Sequence, residues 1–414
     1  MRSINIIQMN DGDNCLSAMK LFERGEFAKS YITLKIICDK YKNTPFTKHN
    51  VEFLLQLYSA FDTASTTIGK KNEYVAKIDI DNYINLKPLL SQALLNHILK
   101  INCMALLRAK EYKKAKQYMP YIQMVTGPGI RPTDISFFKP GDCGKTLLIY
   151  TSGGIGDIIM YSRFLRQLCD EHPQNNILFL VDDNLMWIFT SAFVYTNLTF
   201  IPNSQRSIVP LKYDYHTNVT MLFHHLEIKY ETLYIDYYIK NVPGNPISLD
   251  NIIEPNRKNV VINWCGNKTN IMEKYNRSIP LNILSRIFET TRDKINWISI
   301  QKNVTTEEAT LLERYSIKNC GKNLDNGGES YKDSITLLRA VDLVISTDTS
   351  IVHFAATMGI PCWCLLTIGC DWRWTYKNNK WYPDVKTFRQ NRLSSWDNVI
   401  SELSAELESV WQNV

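Results

Sequence analysis

Two stretches far apart in the chain carry residues whose types and spacing could do chemistry. The first is Ser152-Gly153-Gly154-Ile155-Gly156-Asp157, which follows the apolar run Thr146-Leu147-Leu148-Ile149-Tyr150 and opens a helix-like stretch. The second is Ser346-Thr347-Asp348-Thr349-Ser350, which follows Asp342-Leu343-Val344-Ile345 and opens another, with His353 one turn further on. Both read as strand–loop–helix junctions, whose free backbone N–H groups hold anions. Thr349 and Ser350 add hydroxyls to those N–H groups, and His353 can face the same anion. The alternative is simple capping by Asp348 or Thr349, with His353 in the core. Asp157 sits at the start of its helix, where a carboxylate can cap the helix or serve as a general base. Two such units suggest an enzyme whose active site lies between two Rossmann-like domains.

Two familiar nucleotide motifs do not fit. Gly154 and Gly156 match the first two glycines of GxGxxG, but the third position is Ile159. Asp182 and Asp183 follow the next strand, where a ribose-binding acid would sit, and they are the best argument for a nicotinamide-dependent oxidoreductase. Gly144-Lys145-Thr146 looks like the end of a P-loop, but the motif's first glycine is missing and the stretch precedes its strand. Arg277 lies in Asn276-Arg277-Ser278-Ile279-Pro280, just before a helix that Pro280 can start. A cation there could reach a pyrophosphate; otherwise it is a solvated surface residue. Asp371-Trp372-Arg373-Trp374 and Trp381-Tyr382-Pro383 form an aromatic-rich segment, suited to stacking on sugar or base faces or to core packing.

The elements that must position these residues fall into blocks. Residues 1–140 read as helical. Cys15 to Arg24, a break at Gly25, and Glu26 to Lys42 form one helix hairpin; Leu94 to Lys110 and Glu111 to Met124 form another. The second helices open similarly, with Glu26-Phe27-Ala28-Lys29-Ser30 and Glu111-Tyr112-Lys113-Lys114-Ala115. An aromatic with a small residue three positions later is common in tetratricopeptide repeats. The two openings are not a whole number of the roughly 34-residue periods apart, so any repeat is degenerate. A generic helical cap is the other reading. Gly127 to Gly144, with Gly127-Pro128-Gly129, Pro132 and Pro140-Gly141, reads as a linker.

From Lys145 strands alternate with helices, which implies a parallel sheet. The expected strands are Thr146 to Tyr150, Asn176 to Val181, Leu198 to Ile201 and Val219 to Leu222, with a helix from Asp157 to Cys169. A break at Pro243-Gly244-Asn245-Pro246 precedes a second unit with strands at Val260 to Trp264, Trp297 to Ile300, Leu343 to Ser346 and Cys362 to Leu366. The closing stretch Ser395 to Val410 is an amphipathic helix, with Val399, Leu403, Leu407 and Val410 on one face, expected near the domain junction. The expected domains are 1–140 helical, 141–250 and 251–392 Rossmann-like, and 393–414 a closing helix.

Composition sets outer limits. A chain of 414 residues is too long for one ordinary domain. Its hydrophobic fraction of 45% and charged fraction of 21% are those of a soluble globular protein. No apolar run approaches the roughly 20 residues of a membrane span, and Met1-Arg2-Ser3-Ile4-Asn5 lacks a signal peptide's apolar core. The ten cysteines are scattered without a CxxC pair, and Cys362-Trp363-Cys364 lies in an apolar strand with both thiols on one face. Reduced core thiols in a cytoplasmic protein are expected, ahead of a zinc site or disulfides. The net charge of +6 suits an anionic substrate without indicating nucleic acid.

Together these residues resemble the GT-B glycosyltransferases of the heptosyltransferase type, glycosyltransferase family 9, particularly its tetratricopeptide-linked bacterial members. The resemblance runs through about residues 146–390: Gly153 to Asp157, Trp264-Cys265-Gly266-Asn267, Arg277-Ser278-Ile279-Pro280, Ser299-Ile300-Gln301-Lys302, Leu343 to His353, Asp371 to Trp374, Trp381-Tyr382-Pro383 and Phe388-Arg389-Gln390. It implies an α/β fold of two Rossmann-like domains facing across a cleft, with acceptor bound by the first and nucleotide sugar by the second. The implied reaction is an inverting, metal-independent transfer from a nucleotide-sugar donor to an acceptor hydroxyl, without a cofactor; the acceptor (glycan, protein or nucleic acid) stays open. The family's proposed base falls on Asp157. Its nucleotide-diphosphate loop falls on Asp348, Thr349, Ser350 and His353, and its cationic ligand on Arg277, where heptosyltransferases often have lysine. Gln301 and Lys302 fall where base and ribose are held, and Gly154 and Gly156 join the nucleotide-sugar set. His216, Asp371, Trp372 and Trp374 are the substrate-binding candidates, His216 being the next candidate base. No DxD-like acidic pair stands in a donor-domain loop, so no metal ligands are expected. The competing class is a helical-repeat binding scaffold carrying an inactive GT-B body.

Overall fold

The computed structural model describes residues 9–44, 50–68, 70, 74, 99, 103–118, 136–151, 153–205, 212–268, 273, 277–374, 379–392 and 395–410. Ser152, Asn276, Met1 to Asn5, the Gly127-Pro128-Gly129 turn and parts of the second expected helix hairpin lie outside them. Contacts divide the chain into two units, Met1–Gln123 with Ile368–Thr375 and Met124–Thr367 with Tyr376–Val414.

The first unit is helical. Helices α1 (Met9–Glu23) and α2 (Phe27–Tyr41) form a hairpin, followed by α3 (Val51–Thr67) and α4 (Tyr112–Tyr118). The hairpin turns at Gly25, whose φ of +78° favours glycine. The N–H groups of Gly25 and Glu26 close the turn onto Phe22 and Leu21 carbonyls. The turn before α4 repeats this with Lys110 in the same left-handed conformation, its N–H and that of Glu111 bonded to Leu107 and Leu106. The two hairpin turns read from the sequence are therefore alike in geometry. Cys15, Ala18, Leu34, Cys38, Leu54, Leu57 and Phe61 form the core.

The second unit holds two separate parallel sheets. The first half has β1 (Thr146–Tyr150), β2 (Asn176–Val181), β3 (Leu198–Pro202) and β4 (Tyr215–Asn218) in the order β3-β2-β1-β4. The second half has β5 (Lys258–Asn263), β6 (Ile295–Ser299), β7 (Lys318–Asn319), β8 (Leu343–Thr347), β9 (Cys362–Leu366) and β10 (Val385–Arg389) in the order β10-β9-β8-β5-β6-β7. The inner strands are near-continuous aliphatic runs buried along their length, as a parallel sheet covered on both faces requires. The longer helices are α5 (Ile155–Ser162), α6 (Leu165–Glu171), α7 (Met186–Ala192), α8 (Arg286–Thr291), α9 (Thr306–Arg314), α10 (Lys332–Arg339), α11 (Ser350–Met358) and α12 (Asp397–Val410). This is the α/β architecture with two parallel sheets that the sequence implies.

Strand order places the loops that matter. In each sheet the direction of winding reverses once, between β1 and β4 and between β5 and β8, and ligands bind outside the carboxyl ends of strands at such a switch point. The Gly153 loop follows β1. The Arg277 segment follows β5 and the Asp348 loop follows β8, so strand order makes them neighbours.

Three expectations need correction. The expected helix Asp157–Cys169 is two helices, broken where the Arg163 side chain turns back: Nε donates to the Met160 carbonyl at 2.8 Å. The strand expected at Val219–Leu222 lies earlier, at Tyr215–Asn218. Asn218 ends it, because its Oδ1 accepts from Thr220 N–H at 3.0 Å and caps a 3-10 turn. The closing helix α12 does not pack near the junction. Val399, Ile400, Leu403 and Leu407 enter the second half's own core with Val260, Ile262 and Phe388. The piece of late chain at the junction is Trp381-Tyr382. Trp381, fully buried, packs on Tyr161, Phe164 and Phe223 of the first half with ring centroids 5.4, 6.1 and 5.3 Å away. Arg163 Nη1 donates to the Trp381 carbonyl at 2.8 Å, and its guanidinium lies 4.7 Å from the Tyr382 ring.

Candidate active site

The two loops singled out in the sequence touch. Helix α5 packs on α11, and Gly156 in its first turn faces His353. A Cβ at position 156 would lie 2.6 Å from His353 Cδ2 and 2.9 Å from Nε2, closer than atoms pack. Glycine is thus required by approach. His353 is 3% exposed, with Nδ1 2.9 Å from the Tyr382 hydroxyl and Nε2 4.0 Å from Asp348 Oδ1. The imidazole is a spacer between the glycine loop and the Asp348 loop, in the core but at the seam of both.

Asp157 is half-buried, three residues into the glycine loop's helix. Its Oδ2 accepts from the Gly154 backbone N–H at 3.3 Å, so the carboxylate reaches back over the helix start. Gly153 before it has a φ of +97°, and a Cβ there would press on Asp157 Oδ2 at 3.2 Å. The carboxylate is therefore held over the turn at the carboxyl edge of β1.

The start of α11 differs. Its N-cap, Thr349, makes no side-chain cap. The Thr349 hydroxyl pairs instead with Ser346 Oγ at 3.0 Å and accepts from Asn263 Nδ2 at 3.3 Å, which ties the ends of β8 and β5 together. Thr349 therefore caps none of the first-turn N–H groups with its side chain, and the Val352 N–H donates to the Thr349 carbonyl at 3.1 Å. Arg277 Nη2 donates to the Asp348 carbonyl, and Nε is buried without a hydrogen-bond partner among the described residues. Glu273 lies beside it, with Oε1 4.0 Å from Nε and Oε2 accepting from the Ser278 hydroxyl. The Gly266 backbone passes close by: a Cβ there would sit 3.7 Å from Arg277 Cζ and 3.5 Å from Thr349 Cγ2. Ser350, one residue into α11, has its hydroxyl 2.7 Å from the Tyr331 hydroxyl.

The other candidates are placed differently. Gln301 is buried, and its Oε1 accepts from Cys265 N–H at 3.0 Å, so it braces the ends of β5 and β6. Lys302 is anchored on the Leu324 carbonyl and lies 3.9 Å from Asp325 Oδ2. His216 lies within β4, 4% exposed, between the rings of Tyr150 at 6.1 Å and Tyr213 at 5.8 Å, as a core histidine. Asp371, Trp372 and Trp374 belong to the helical unit. There Asp371 Oδ1 accepts from Arg373 N–H at 3.0 Å, both tryptophans are buried, and Trp372 packs edge-on against Tyr112 at 6.2 Å. Asp182 and Asp183 are occupied by Asn203 Nδ2 and Ser204 N–H, where they hold the turn after β3. Tyr331, Glu273 and Asn263 escaped the sequence reading, and Tyr382 entered it only as one member of an aromatic segment. Only Asn263, a polar residue ending the run Val-Val-Ile, carried a signal that could have found it.

Among the described residues no group of three His, Cys, Asp or Glu is placed to hold a metal ion, and no helix is long and apolar enough to cross a membrane. All ten cysteines are free thiols.

No family model matches the chain, and no curated protein matches it. Solved structures do resemble it. The E. coli heptosyltransferase WaaC with ADP-2-deoxy-2-fluoro heptose is 13% identical and aligns over 63% of this chain and 99% of its own, at a TM-score of 0.42. A glycosyl transferase of family 9 from Veillonella parvula is 10% identical over 66% of this chain and 90% of its own, at 0.40. A Thermobaculum terrenum O-GlcNAc transferase is 9% identical and covers 97% of this chain and 90% of its own, at 0.27.

Proposed function

We propose that the chain is a glycosyltransferase that moves a sugar from a nucleotide-sugar donor to an acceptor hydroxyl, with inversion and without a metal ion. One observation carries the reading: a carboxylate at one helix start is packed, through Gly156 and His353, against a second helix start that has no side-chain cap and an arginine beside it. The donor diphosphate binds at Thr349 and Ser350, where backbone N–H groups, the Ser350 hydroxyl and Arg277 meet its charge. The acceptor hydroxyl lies by Asp157. Its oxygen attacks the anomeric carbon from the face opposite the diphosphate, the carbon–oxygen bond to the diphosphate breaks, and Asp157 takes the hydroxyl proton. The negative charge that grows on the leaving diphosphate is stabilised by Arg277 and the helix start. Residues 141–250 form the acceptor side and 251–392 the donor side of this scheme.

A second reading rests on the same geometry. Asp157 already caps Gly154, which suits a purely structural carboxylate in a helical scaffold with an inactive body. A nucleotide panel separates the two. Nucleoside diphosphates should raise the melting temperature, and a matched nucleotide sugar should be hydrolysed slowly or transferred. ADP and ADP-heptose are the first to test, given the ligand named with the WaaC structure. Binding without turnover for any donor and acceptor would favour the scaffold.

A further inference from the structure

We infer that Ser330 and Tyr331 form a coupling element: Ser330 ties the second half to the first, and Tyr331 sets the Ser350 hydroxyl for the donor diphosphate. The inference rests on the donor site described under Proposed function and adds positioning residues to it.

Ser330 spends all its polar groups on one short stretch of the first half. Its N–H donates to the Asn184 carbonyl at 3.0 Å, its hydroxyl accepts from Asn184 Nδ2 at 2.9 Å, and its carbonyl accepts from Trp187 Nε1 at 3.2 Å. Lys332 adds its ammonium 5.2 Å from the Trp187 ring. The loop that carries Ser330 is stiff. Asp325 Oδ1 accepts from the N–H groups of Asp333 and Ser334 at 2.7 and 3.1 Å, and its own N–H donates to Asp333 Oδ2 at 2.6 Å. Both ends of the loop are thereby pinned to the start of α10.

The next residue reaches the donor site. Tyr331 has a φ of +67°, a conformation unfavourable for a bulky residue that persists only where the surroundings impose it. Its ring stacks on Phe354 of α11 at 4.2 Å, and its hydroxyl meets Ser350 Oγ at 2.7 Å. Burial pushes the phenol above its ordinary range, so it stays an O–H group. If Ser350 donated to the phenol, its lone pairs would face an incoming anion. With an anion bound, the phenol therefore donates to Ser350, and the Ser350 proton turns to the phosphate. The two bonds polarise one another. Because Ser330 and Tyr331 are adjacent, Ser350 is set only when the first half is engaged.

The test uses the full chain, with titration calorimetry against the common nucleoside diphosphates and the parent nucleosides. Tyr331→Phe keeps the ring stack and should weaken the best diphosphate roughly five- to tenfold while leaving the nucleoside unchanged. Combined with Ser350→Ala it should be no weaker than Ser350→Ala alone. Trp187→Phe removes the bond to Ser330 and trims the ring under Lys332, and should weaken diphosphate binding several-fold, though it touches no ligand. A residue that served the fold alone would lower the melting temperature without changing the preference for diphosphate over nucleoside. An unchanged preference in Tyr331→Phe, or additive effects of the pair, overturns the positioning role. An unaffected Trp187→Phe overturns the coupling. A wild-type chain that binds no nucleoside diphosphate sinks the proposed donor site itself, and is distinguishable because every variant then reads as blank.

Discussion

The starts of α5 and α11 are the same local device put to opposite uses. Each follows a buried parallel strand and opens a helix at the carboxyl edge of its sheet. At α5 a side chain returns: Asp157 accepts from Gly154 N–H and fills the positive end of the helix with its own carboxylate. At α11 the N-cap side chain does not return, since the Thr349 hydroxyl is drawn off to Ser346 and Asn263. One helix start carries its own anion; in the proposed scheme the other takes a foreign one, with Arg277 alongside. What would then decide between a base and an anion hole is the partner of one side chain, which the bare strand–loop–helix pattern does not reveal.

The largest effect expected from this contrast is at Asp157. Asp157→Asn should slow transfer by roughly 10²–10⁴-fold with donor affinity and melting temperature nearly unchanged, because asparagine caps about as well as aspartate. Turnover and melting measured on one preparation decide it; near-normal turnover would make Asp157 a cap and nothing more. At the other helix start, Arg277→Ala should weaken nucleoside diphosphate binding by about 1.5–3 kcal/mol, read by calorimetry. An unaltered dissociation constant would remove Arg277 from the site. The contact that joins the two starts can be broken from within. Gly156→Ala drives a methyl into the His353 ring and should cost about 1–3 kcal/mol in denaturant unfolding, with donor binding weakened as well. A variant as stable as wild type would mean that the two loops are not packed as described.

The last effect concerns the first half under acid and is modest for each unit of pH. His225 of the first half stacks face to face on Phe137 at 4.4 Å, and burial depresses its pKa to about 3 from an ordinary 6.5. Since the folded value lies below the unfolded one, its contribution is complete above about pH 6.5 and is lost as the pH falls towards 3. Stability should drop by up to about 1.4 kcal/mol per pH unit in that window. His225→Gln should flatten the slope, and an identical slope in variant and wild type would assign the acid sensitivity elsewhere.

The central strands of both sheets could be read from aliphatic runs, because a strand buried on both faces has little freedom of composition; of the edge strands, β4 was misplaced and β7 and β10 were missed. The loops could be read from their glycines and hydroxyls. What escaped depended on distance in the chain. The Tyr331 backbone is left-handed without a glycine to announce it, and its partner Ser350 lies beyond a whole strand. Gln301 looked like a ligand-facing amide, but its role is fixed by Cys265, which only the pairing of β5 with β6 brings near. Trp372 and Trp374 looked like stacking platforms because aromatic residues serve cores and sugars equally well, and burial decides between them only in three dimensions.

The return of Trp381 to the first half sets a rule for anyone dividing this chain. A cut at the Pro243 break follows the sequence, yet it would strip the first half of an indole that is fully buried against Tyr161, Phe164 and Phe223. It would also leave Arg163, 2% exposed, without the acceptor of its Nη1. A buried cation deprived of its partner is among the costlier defects a fold can carry. The fragment 141–250 should therefore be a poor expression target, while fusing a copy of the 379–384 segment behind it would restore the missing plug. In engineering terms the halves are interlocked parts, and domain swaps between relatives should carry that late segment with the first half, against the order of the sequence.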